Sequence, residues 1–162
     1  MRRTALLTAL LVATASPAFA EGGWAVETST DVGTGVETVT ASVAGEAGAR
    51  LVIACRNGLR TMMALVPGQI PLPSGNQADA LVTTSTDEPV RLPVVLIDRG
   101  AATLVAATVP TAVPTLIERL RAADGPLGLV VTKGGTEHAR QAFVTQGAAA
   151  ALATLDTDCP PK

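Results

Sequence analysis

The chain has 162 residues, 48% of them hydrophobic and 16% charged, with one Trp, two Phe, no Tyr and one His. That length fits one domain around one core, and so large an apolar share excludes a disordered chain. A net charge of −2 at pH 7 gives no basic field for phosphate, and so few aromatics give no stacking platform for bases, so no nucleic-acid partner is expected.

The chain opens with Arg2 and Arg3, an apolar run over residues 5–15, and Ala18-Phe19-Ala20 behind Pro17. The run is shorter than the roughly 20 residues a membrane helix needs. Positive start, apolar middle and small-x-small cleavage site come in the order of a secretory signal peptide. The expectation is a signal over 1–20, cleaved after Ala20, followed by one exported domain over 21–162 with no membrane span. Removing Arg2 and Arg3 would leave ten basic against fourteen acidic side chains, a net charge of −4.

From Trp24 to Ser29 apolar and polar residues alternate; Asp31-Val32-Gly33-Thr34-Gly35 makes a turn, and Thr38 to Val43 alternates again with Val39, Ala41 and Val43 on one side. This pattern predicts a hairpin with one buried face. After a turn at Gly45–Gly48, Leu51 to Arg56 is a β-branched run ending at Asn57-Gly58, a pair suited to a type I′ turn because both central residues need positive φ. Leu59 to Val66 is the expected returning strand. Cys55 shares the core side with Leu51 and Ile53, while Met62 and Met63 must point to opposite faces; Met62 and Met63 read as core filling rather than a cofactor box.

Residues 67–79 are rich in Pro and Gly and read as a loop, the best candidate for mobility. Leu81 to Thr86 and Val90 to Ile97 are expected strands around an Asp87-Glu88-Pro89 turn, with Pro93 favouring an edge or bulge. Asp98-Arg99-Gly100 turns into a strand over Thr103–Thr108. Val113, Leu116, Ile117, Leu120 and Ala123 follow helical spacing, Pro114 suits a first turn, and Gly125-Pro126 stops the helix. Leu127 to Thr132 and Thr136 to Val144 are strands about Lys133-Gly134-Gly135. Thr145 reads as the N-cap of a final helix carrying Ala148, Leu152, Leu155 and Cys159 on one side.

No regular β-α-β alternation exists, which argues against a doubly wound parallel sheet. The expected class is α+β: an antiparallel β-sheet of about seven to nine strands with two helices, near 113–124 and 146–158. A β-sandwich with short helical additions is the alternative.

The even pair Cys55 and Cys159, in an exported chain, predicts one disulfide, worth roughly 4–5 kcal/mol in the chain-entropy model. A metal or catalytic thiol is the rival reading, but a metal site needs three or four ligands and His138 is the only His. No metal or cofactor is expected. Ser29, Ser42, Ser74 and Ser85 lie outside any G-x-S-x-G elbow, and Asp87 and Glu88 are neighbours that diverge on an extended chain. Asp156 and Asp158 lack the oxygen-rich loop calcium needs, and Gly33-Thr34-Gly35 and Gly134-Gly135 lack phosphate-loop spacing. Arg56, Arg60, Arg91 and Arg99 are candidates for a contact surface on one edge of the sheet, with solvated strand faces as the plainer reading.

The Trp24-Ala25-Val26 start, the Asp31 turn, Thr38-Val39-Thr40, Leu51-Val52-Ile53-Ala54-Cys55-Arg56-Asn57, Asp87-Glu88-Pro89 and the close from Gly147 to Cys159 carry a family likeness. With these features the chain resembles the small periplasmic proteins of the type VI secretion-associated VasI/TagO type and their bacterial relatives. The resemblance implies an exported accessory protein with a Cys55–Cys159 bridge, places the 21–162 domain in the periplasm, and implies no catalytic residues. The expected function is a non-enzymatic module that binds another cell-envelope protein through sheet edges or the 67–79 loop, with any link to a secretion system left open. The alternatives are a small-ligand binder or envelope hydrolase centred on His138 with Glu137 and nearby arginines, and a purely structural protein. Oligomeric state is not set at this level.

Overall fold

The computed structural model describes residues 23–84 and 88–160. The expected signal-peptide segment lies outside the described residues, as do Ser85, Thr86 and Asp87 of the expected strand end and turn. Among the described residues nine strands alternate with short turns and two α-helices: β1 Ala25–Thr30, β2 Glu37–Ala44, β3 Arg50–Arg56, β4 Leu59–Pro67, β5 Gln77–Thr83, β6 Val90–Asp98, β7 Ala102–Ala107, α1 Val113–Ala122, β8 Leu127–Lys133, β9 Thr136–Phe143 and α2 Ala148–Asp158. The strands form one hydrogen-bonded sheet in the order β1-β2-β3-β4-β7-β6-β5-β8-β9, antiparallel at every step. The class is α+β, as the element pattern predicts.

Registers align the apolar sets across the sheet. Ala41 faces Ile53, which faces Met62; Ala64 faces Val105, which faces Leu96; Ala80 faces both Leu92 and Val131. All of these are buried. Because side chains alternate with period two, directly opposed residues share a face, and this face is aliphatic throughout. Both helices pack on it: α2 against β1 and β2, α1 against β4 and β6, and α1 against α2. Alanines at 41, 64 and 80 leave room for them. Val113, Leu116, Ile117 and Leu120 of α1 and Ala148, Leu152 and Leu155 of α2 complete the core, each large aliphatic contributing about 1.5–3 kcal/mol on burial.

The two flanks of the sheet meet at a seam. Gly45, just past β2, bridges to Phe143 at the end of β9. A Cβ on Gly45 would stand 2.7 Å from the Phe143 ring and 2.9 Å from the Ala142 carbonyl oxygen, so only glycine fits. Trp24 closes the same seam: its indole Nε1 donates to the Val144 carbonyl at 3.0 Å and its backbone N–H to Gln146 at 3.4 Å. The two aromatics of the described residues thus join the seam to the core: Phe143 is buried in it and Trp24 packs against it.

Several local expectations hold in detail. Asn57 (φ 54°) and Gly58 (φ 78°) both occupy the left-handed region that the β3–β4 turn demands. Met62 is buried on the inner face while Met63 lies half-buried on the outer. Others are corrected. β5 begins at Gln77, before the expected Leu81, because Ala78 and Ala80 pair with β6 and enter the core. Pro93 lies in an inner strand, not at an edge. Its carbonyl accepts from Thr108 N–H at 2.9 Å, beyond the end of β7; the backbone of a strand residue points one way, so its missing N–H faces that open position and costs no bond to β5.

The remaining segment between β4 and β5 is pinned. Gly68 N–H donates to Ala101, Ile70 N–H to Thr103 Oγ1 and Gly75 N–H to Leu96, while Asp98 N–H donates to Ser74 Oγ. It passes β7 and β6 to reach β5, and those strands supply the partners that its Pro-rich composition hides. Thr145 does not cap α2 with its side chain. Its hydroxyl donates to the Gly125 carbonyl at 2.7 Å, its carbonyl accepts from Ala148, and Gly147 at φ 83° takes the cap position.

Candidate docking surface

Cys55 on β3 and Cys159 after α2 form the disulfide, with Cα atoms 6.1 Å apart, inside the range such bridges need. Both are buried. Cys55 arrives there because it continues the inward row of Leu51 and Ile53; Cys159 because it continues the stripe of Leu152 and Leu155.

The four candidate arginines are not brought together. Arg60 turns inward beside this bridge: its guanidinium meets Asp156 of α2 at 2.6 Å and reaches the Cys159 carbonyl at 3.5 Å. Arg121 of α1 pairs with the same Asp156 and with Glu118, so one carboxylate joins β4, α1 and α2. Arg56 ends β3 at the Asn57-Gly58 turn, Arg91 lies on the outer face 3.9 Å from Asp79, and Arg99 stands in the β6–β7 turn. Arg60 links β4 to α2 and Arg121 links α1 to α2, both through Asp156.

His138 is the extra residue of a β-bulge: Val131 pairs with Ala139 and Thr132 with Glu137, leaving His138 unopposed. Its neighbours Glu137 and Arg140 pair with each other at 2.6 Å. That contact holds the Glu137 carboxyl below its usual range and raises Arg140. Among the described residues, no group of three or more His, Cys, Asp and Glu is placed to hold a metal. A cleft of about 620 Å³ opens between the end of α1 and the start of α2, lined by Arg121, Pro126, Val144 and Gly147 among others. Its wall is largely apolar, and His138 does not line it.

The outer face of the central strands is the feature that the sequence pattern left unread. A sheet covered on one side is expected to show polar residues on the other. Here Val52, Met63, Ala106 and Val95 stand in one row across β3, β4, β7 and β6, and Leu65, Leu104 and Ile97 in the next. All seven are partly exposed. Strands such as Ala102–Ala107 and Val90–Asp98 are therefore apolar on both sides while helices cover only one. The runs Met62-Met63-Ala64-Leu65-Val66 and Val94-Val95-Leu96-Ile97 carried the signal: continuous apolar strands mark two covered faces. Arg50 with Glu27, and Arg91 with Asp79, flank the rows.

Among the described residues no helix is long and apolar enough to cross a membrane. Comparison with family models, curated proteins and solved structures returns no match, so the functional reading rests on this geometry and on the chain's own residues.

Proposed function

We propose that the protein is a non-enzymatic accessory protein of the bacterial envelope, exported by its N-terminal signal, which binds another envelope protein. The observation that carries the reading is the apolar outer face formed by Val52, Met63, Leu65, Val95, Ile97, Leu104 and Ala106. A contiguous apolar patch on an otherwise water-facing sheet marks an interaction surface. The Cys55–Cys159 bridge supports an oxidising compartment, where such bonds persist. Association with a secretion apparatus is the finer form of the proposal, and the likeness to the VasI/TagO type supports it.

The test is capture from a solubilised envelope fraction with the wild-type protein and with Leu104→Lys. The wild type should retain one partner reproducibly. The variant should retain it at least tenfold less at unchanged melting temperature, since a half-exposed site tolerates the charge. Equal retention by both, or none by either, would reject the reading.

A further inference from the structure

The two edge strands of the sheet differ in how they are protected. β9 carries a bulge at His138 and an exposed Glu137–Arg140 pair, and its end is taken by Gly45. Such devices keep other strands off an edge. β1, Ala-Val-Glu-Thr-Ser-Thr, has no proline, no lysine and no bulge, and residues 27–30 are exposed. Its register fixes what it offers. Asp31 N–H donates to Val36 at 2.9 Å, so Asp31, Ser29, Glu27 and Ala25 turn their backbone groups to β2. Trp24 N–H points the other way, to Gln146. By alternation, Val26, Thr28 and Thr30 direct their N–H and C=O groups outward, where no described residue meets them.

This edge is complementary to itself. Antiparallel pairing about a twofold axis at Thr28 sets Thr28 opposite Thr28 of a second copy and Val26 opposite its Thr30, matching every outward donor with an acceptor. Glu27 falls opposite Ser29, so the strand's one charge avoids its own copy; the β-branched row of Val and Thr suits strand pairing. The ends of the edge match too. Val32 is 100% exposed in the turn after β1, and Val144, 42% exposed, lies against Trp24 at the strand's start. Trp24 and Val32 are equally far from Thr28 along the chain. The same axis therefore carries Val32 of each copy toward Trp24 and Val144 of the other. We propose that β1 is a homodimer contact, in which two copies join their sheets edge to edge about Thr28. The contact is isologous and independent of the outer face.

Sedimentation velocity on the purified protein tests this directly. One strand pair with two small apolar contacts falls among weak interfaces, below about 1,200 Å² in total, so dimers should accumulate toward concentrations of about 100 µM. Thr28→Pro deletes an N–H that points away from β2 and so costs no internal ladder bond. It should weaken dimerisation at least tenfold, and Val32→Ser about threefold. Thr28→Cys should form a reducible cross-link between copies, because residues paired across the axis have Cα atoms about 5.5 Å apart. Thr30→Cys, opposite Val26, should not. A monomer at every concentration, a dimer indifferent to Thr28→Pro, or equal cross-linking at 28 and 30 would overturn the proposal; the cysteine pair decides it if the proline variant fails to fold.

Discussion

On the inner face of β3, β4, β7 and β6, Ile53, Met62, Ala64, Val105 and Leu96 are buried under the helices. On the outer face of the same strands Val52, Met63, Leu65, Leu104 and Ile97 keep part of their surface in water. The residue types are nearly the same on both sides. What separates the faces is the covering layer: α1 and α2 descend on one side alone, and the disulfide ties the far end of α2 to β3 there. The comparison teaches that apolar patterning in a strand states how much burial the strand can use, not what will provide it. The inner face receives its cover from this chain's helices, and the outer face of these strands stays partly exposed among the described residues.

Removing the tether is the heaviest blow to the covered side. Replacing Cys55 and Cys159 together by Ala should lower unfolding free energy by about 4 kcal/mol, read from urea melts of the native and double-variant proteins, because the separation of 104 residues makes the constraint on the unfolded chain a large one. A loss under about 1 kcal/mol would mean that α2 docks without it.

Adjacent methionines give the sharpest internal control. Met62→Ala opens a cavity in a site with no exposure and should cost about 2–5 kcal/mol. Met63→Ala, one residue on and facing outward, should cost under about 1 kcal/mol. If the two variants melt alike, the faces are not distinct in the way described.

The smallest effect belongs to the hairpin tip, which no helix covers. Asp31 accepts from Thr34 Oγ1, Thr34 N–H and Gly33 N–H at 2.9, 2.8 and 3.0 Å. These bonds, that from the Thr34 hydroxyl foremost, hold its carboxyl below the ordinary value of 3.8. A lowered pKa stabilises the turn fully above that ordinary value and loses the contribution as pH falls through the lower, folded one. The protection factor of the Thr34 amide, its exchange relative to the intrinsic rate at each pH, should therefore hold down to about pH 4 and fall below it, with those of the core amides unchanged.

Much of the fold was legible locally. The Asn57-Gly58 turn follows from two residues that tolerate positive φ, α1 from the spacing of Val113, Leu116, Ile117 and Leu120, and the disulfide from two cysteines that each continue an apolar row. What escaped was set by remote partners. The segment between β4 and β5 looked loose because its composition is loop-like, yet Thr103, Ala101 and Leu96 hold its amides. Thr145 looked like a cap because its position suited one, yet the Gly125 carbonyl takes its hydroxyl. The four arginines gave no hint of their separation, since only the register turns Arg60 inward to Asp156 while Arg91 faces out.

By itself the sequence determined most of the strands, both helices and which residue of each alternating pair faces the core. Those are consequences of side-chain period and backbone preference, which act within a few residues. Strand order, the seam of Gly45 with Phe143, the single covered face and the bare edge of β1 were decided only in three dimensions. They depend on which distant surfaces exclude water together, and that burial is shared among segments that local preference cannot connect.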